Sequence, residues 1–132
     1  MTANSGRFKV LAFLAVTVSL GLAACGDEAA KQTEAGIAWL KENHTMPQET
    51  GWILGDITAV GSQEITIKVD IDNITQAISF KALSAVDKGE VARLACPWPE
   101  AAFWGVAGAK MKAQILLQSM GSTIITATCR RP

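Results

Sequence analysis

Residues Glu64–Asp72 read EITIKVDID. Ile65, Ile67, Val69 and Ile71 take alternate positions, and Thr66, Lys68, Asp70 and Asp72 fill the gaps. Successive side chains of a strand point to opposite faces, so this alternation predicts a strand with one buried and one solvated face. Working outward, Trp52–Val60 (WILGDITAV) reads as a preceding strand, with Gly61-Ser62 as the turn. On the other side Asp72-Asn73 suits a tight turn. Thr75–Ala82 then alternates again, with Ile78, Phe80 and Ala82 set against Ser79 and Lys81. Residues 52–82 therefore read as a three-stranded antiparallel meander.

Toward the N-terminus, Ile37, Trp39 and Leu40 sit among Lys41, Glu42 and Asn43. They predict an amphipathic helix over 28–44, ending before Met46-Pro47 because the residue before proline avoids the helical region. Toward the C-terminus, Asp87 and Glu90 have the spacing of an N-cap and its capping-box partner. Val91, Leu94 and Ala95 follow on one helical face, and Pro97 stops the helix after Cys96. Pro99-Glu100 opens a second short helix through Trp104, with Gly105 as its exit. Met111–Gln118 and Thr123–Cys129 read as a closing hairpin around Gly121-Ser122. The expected fold class is α+β. An N-terminal helix precedes an antiparallel sheet of about five strands, a meander plus a C-terminal hairpin, with two short helices between them and one disulfide.

The chain has 132 residues, with 12 Lys and Arg against 12 Asp and Glu. Residues 1–24 contain Arg7 and Lys9 and no acid, so the remaining 108 residues are mildly acidic. That balance excludes a basic chain held on nucleic acid by phosphate contacts, and the length leaves room for one domain. Arg7 and Lys9 precede an uncharged run, Val10–Ala24. Its fifteen residues would span about 22 Å as a helix, short of the ~30 Å hydrocarbon core. A signal-peptide core fits better than a permanent span.

The run ends in Leu22-Ala23-Ala24-Cys25-Gly26. Together with Arg7 and Lys9, this resembles the signal and lipobox of bacterial lipoproteins. The resemblance covers residues 7–26 and implies cleavage before Cys25, a diacylglycerol on its sulfur, and an acyl chain such as palmitate on the new amine. Several acyl chains on one residue anchor stably where one is marginal. The implied division is a signal peptide at 1–24, a lipidated tether at 25–36 and one α+β domain at 37–132. The implied location is the cell envelope, facing the periplasm. In enterobacterial sorting, Asp directly after the cysteine retains a lipoprotein in the inner membrane. Here Gly26 follows, with Asp27 one place later, which favours the outer membrane.

Cys96 and Cys129 remain once Cys25 is lipidated. An even pair in an oxidising compartment reads as a disulfide, the alternative being two buried thiols. A metal is not expected, because zinc wants three or four close ligands and the chain offers one histidine, His44, and two distant cysteines. No cofactor is expected either, since no phosphate-binding glycine motif is present. A catalytic triad would need His44, which sits in a polar, exposed helix end. Asp70 and Asp72, the nearest approach to a carboxylate pair, share the solvated side of a strand.

Of the four tryptophans, Trp98 and Trp104 cluster with Phe103 around two prolines. One reading makes Trp98, Phe103 and Trp104 an apolar lip for a partner. The other makes them a cap on the core beside the disulfide. A small lipoprotein with a sheet, covering helices and one Cys–Cys bridge resembles one class of pilotins in anchor and architecture. Those proteins bind a segment of an outer-membrane secretin. The expected function is a non-enzymatic binding or envelope-assembly factor held on the membrane through Cys25, with an envelope protein as partner. The alternative is an envelope-displayed binder of small ligands or an enzyme inhibitor.

Overall fold

In the computed structural model, residues 28–132 are described. Helix α1 covers 28–43 and is followed by strands β1 (Trp52–Ala59) and β2 (Glu64–Ile71). Three helices come next: α2 (Ile74–Lys81), α3 (Ala85–Arg93) and α4 (Phe103–Ala107). Strands β3 (Lys112–Ser119) and β4 (Ser122–Thr128) close the chain. The sheet has the order β1-β2-β3-β4. Its outer pairs are antiparallel and its central pair, β2 with β3, is parallel. Parallel neighbours need a long crossover, which the three helices supply. No helix among the described residues is long and apolar enough to cross a membrane.

The alternation in 64–72 is the centre of the fold. Ile65, Ile67, Val69 and Ile71 are fully buried on the inner face, and the first three are in register with Ala113, Ile115 and Leu117 of β3. The intervening residues pair across the parallel strands on the other face. Gln114 donates to Thr66 Oγ1 at 3.0 Å, and Gln118 donates to Asp70 Oδ1 at 2.8 Å. Four strands in a mixed sheet therefore replace the five antiparallel strands expected, while the α+β class stands.

The difference comes from residues 74–81, expected as a third strand and found as α2. Asn73, expected in a tight turn, is its N-cap, and the Asn73 side chain accepts from the Gln76 amide at 3.0 Å. A short run with few apolar residues fits a strand or two helical turns equally, and the cap decides between them. With no third strand beside it, β2 has a free edge, which β3 takes. In α3 the cap is Ser84 rather than Asp87, so the helix starts earlier. Ser84 Oγ accepts from the Asp87 amide at 3.2 Å and donates to its carboxylate at 2.9 Å. Helix α4 continues through Gly105 and ends at Gly108, whose φ of 93° suits a residue without Cβ.

Helix α1 packs on the domain between Thr33 and Leu40. Thr33, Gly36 and Leu40 are buried at helical spacing, with Ile37 and Trp39 half-buried beside them. A Cβ on Gly36 would lie 3.0 Å from Ala107 Cβ and 3.2 Å from Ile65 Cδ1, so the missing side chain permits this approach. Thr33 and Gly36, expected in the tether, therefore pack against the sheet and α4. Residues 1–27, with the signal peptide, lipobox and Cys25 assigned above, lie outside the described residues.

Candidate functional site

Helix α3 leads into the segment Cys96-Pro97-Trp98-Pro99. Cys96 is bonded to Cys129, just past β4, with Cα atoms 5.6 Å apart. The prolines fix two backbone torsions and remove two donors. The Trp98 carbonyl accepts from the Trp104 indole at 3.1 Å and from the Ala101 amide at 2.9 Å. The backbone of Trp98 is thus held on both sides while its ring points outward, 75% exposed.

The expected aromatic cluster divides. Phe103 is fully buried and Trp104 nearly so, so neither can serve as a contact residue. Their ring centroids are 5.0 Å apart, and Trp39 stands 6.2 Å from Phe103. The core reading is right for these two, and an exposed surface remains at Trp98 alone. The physical cause is α4, which carries Phe103 and Trp104 into the core beside α1 while Trp98 precedes it.

Beside Trp98 lies a mainly apolar cavity of about 220 Å³, lined by Leu94, Cys96, Pro97 and Pro99 with Arg93 and Arg130. Leu94 is 59% exposed, so this patch presents an aliphatic and an aromatic side chain together. At its edge Glu90 Oε1 accepts from Arg93 at 2.8 Å and from Arg130 at 2.7 Å. Arg93 also donates to the Thr128 carbonyl at 3.1 Å. Two guanidinium groups share one carboxylate, leaving the rim one positive charge in excess. The sequence reading missed Arg93, Leu94 and Arg130. The signal available was the disulfide itself, because a bond between residues 96 and 129 carries residue 130 beside 93–98.

His44, expected in an exposed helix end, is half-buried and lies 2.7 Å through Nε2 from the Ala95 carbonyl, to which it donates. Burial lowers its pKa below the ordinary 6.5, and the hydrogen bond to Ala95 partly opposes the shift. That nitrogen is committed to the backbone beneath the Cys96 turn, a structural role. Asp70 is engaged by Gln118, and Asp72 is exposed beyond the end of β2. Among the described residues no three His, Cys, Asp or Glu side chains group to hold a metal ion. The arrangement at Trp98 is suited to binding an apolar group next to an acidic one. Comparison with protein-family models, with curated proteins and with solved structures finds no match.

Proposed function

We propose that the chain is an acylated, periplasm-facing lipoprotein of the outer membrane that acts as a non-enzymatic binding or envelope-assembly factor. Its docking site is the patch of Trp98 and Leu94. The observation that carries this reading is an indole ring 75% exposed over an apolar cavity, on a segment braced by a disulfide and two prolines. A large apolar ring held in solvent by its neighbours is costly unless something covers it, and a braced segment loses little entropy on binding. Central aromatic anchors of this kind contribute about 2 kcal/mol or more to binding. The excess positive charge of Arg93 and Arg130 favours an apolar protein segment that also carries a carboxylate.

A photoreactive phenylalanine analogue at Leu94 tests the site in the full-length, membrane-held protein. One discrete crosslinked adduct is expected, lost on Trp98→Ala and weakened by Arg130→Glu. An adduct that both variants retain, or none, overturns the docking assignment. Cys25→Ser tests the anchor: labelled fatty acid entering that variant would refute lipidation at Cys25.

A further inference from the structure

We infer that the first turn of α1, the β1–β2 turn and the α4–β3 loop form a membrane-contact face, held on phospholipid headgroups by the acyl anchor. This rests on the reading of Cys25 as the acylated residue. A free tether over 25–36 would reach about 40 Å when extended, letting the domain stand in any orientation. The packed part of α1 removes that freedom. Residue 28 is already helical, so at most three residue steps, about 11 Å, separate it from Cys25. The headgroup layer on one side of a bilayer is about 5–8 Å thick. The first described turn of α1 therefore stays within about 11 Å of Cys25, at or just above the headgroup layer.

What is fixed beside that turn is held close to the bilayer with it. Thr33 donates to the Ser62 carbonyl at 2.7 Å, tying α1 to the β1–β2 turn. Gln32 packs on Gly108, where an added Cβ would stand 2.7 Å from its Oε1. The loop after Gly108 is pinned in turn by Arg131. Its guanidinium donates to the carbonyls of Gly108 and Met111, both at 3.0 Å, and to that of Ala109. Arg131 also lies 5.2 Å over the Trp104 ring. Both loops are thus rigidly joined to the anchored end of α1, and neither can turn away independently.

The side chains at this end suit a headgroup surface. Glu28, Ser62 and Lys110 border one shallow cleft, and Val60, Glu64, Lys110 and Lys112 border its neighbour. Lys110, Lys112 and Val60 are exposed, and the two lysines are balanced by Glu28 and Glu64. With so little net charge, proximity comes from the short covalent link and not from attraction to anionic lipid. Strand β3 then runs from Lys112 away from the bilayer, setting Met120, 86% exposed, about 25 Å further along.

The test uses the full-length acylated protein in phosphatidylcholine vesicles containing a headgroup-nitroxide lipid. A fluorescent maleimide is placed on Lys110→Cys, on Val60→Cys and on Met120→Cys in separate samples, with the disulfide kept oxidised. Several-fold stronger quenching at both proximal positions than at Met120 is expected, unchanged by salt. A flexible insert of about 20 Gly and Ser residues after Gly26 should remove the difference. Equal quenching at all three positions in protein shown by mass to be acylated overturns the contact face and leaves the lipoprotein reading intact. A mass showing no acyl chain on Cys25 overturns both.

Discussion

Replacing Gly36 by alanine sets two effects of known size against each other. Alanine at a helix interior is favoured over glycine by about 1 kcal/mol. At Gly36 the new Cβ would meet Ala107 Cβ at 3.0 Å, Ile65 Cδ1 at 3.2 Å and Phe103 Cε2 at 3.3 Å. Ala107 Cβ is fixed to its backbone, and Ile65 and Phe103 are fully buried, so none of the three can swing aside. Overpacking of this kind costs about 1–3 kcal/mol, which exceeds the propensity gain. The expected net loss is about 1 kcal/mol, a fall in Tm of about 4–5 °C for a domain of this size. Gly89 of α3 is the control. Its added Cβ would come no closer than 3.6 Å to the flexible end of Arg93, so Gly89→Ala should stabilise by about 0.5–1 kcal/mol. Urea denaturation followed by circular dichroism measures both. If Gly36→Ala stabilises as much as Gly89→Ala, then α1 does not lie this close to Ile65 and α4, and the argument for a short, rigid link to the membrane loses its basis.

Removing the Cys96–Cys129 bond as the double alanine variant should lower stability by about 3–4 kcal/mol, given its sequence separation of 33. A loss below about 1 kcal/mol in urea denaturation would contradict that. His44 makes stability pH-dependent. Its folded pKa is lowered, so the folded state holds fewer protons than the unfolded one below pH 6.5. Its contribution is complete above 6.5 and is lost as pH falls through the lowered value. The drop should be smaller in His44→Asn when both are titrated from neutral pH downward. Trp98→Ala should leave stability within about 0.5 kcal/mol of the parent, since the ring is exposed, whereas Phe103→Ala should cost about 3–5 kcal/mol. A Tm scan of the two variants separates the surface aromatic from the core ones.

Four of these features were legible in the chain before folding. Strict alternation at 64–71 marks a half-buried strand wherever the sheet lies, because strand side chains alternate by geometry. The same holds for the apolar positions of β3, and the small turn residues Gly61 and Gly121, both at positive φ, punctuate the hairpins. The cysteine pair was legible from its even number once Cys25 is set aside as the lipobox resemblance implies. Residues 74–81 were not. Their few apolar residues satisfy two periods, and a single side-chain cap on Asn73 settled the matter.

Tertiary structure alone decided which neighbour β2 accepts. A strand reports its own alternation, but not which distant segment completes its edge. Once α2–α4 form a crossover, β3 arrives parallel. The site divides in the same way. Trp98 lies between two prolines and Trp104 between Phe103 and Gly105, but local sequence does not say which ring the core takes. Packing of α4 into the core beside α1 buries Trp104, and the prolines hold Trp98 outside. Arg130 and Arg131 look like a polar end when read in order. The disulfide brings Arg130 to the cavity rim, and the fold leaves the carbonyls of 108–111 within reach of Arg131. Local pattern fixes which faces are apolar, because it depends only on backbone geometry. Which of those faces stays in solvent depends on contacts between residues far apart in the chain.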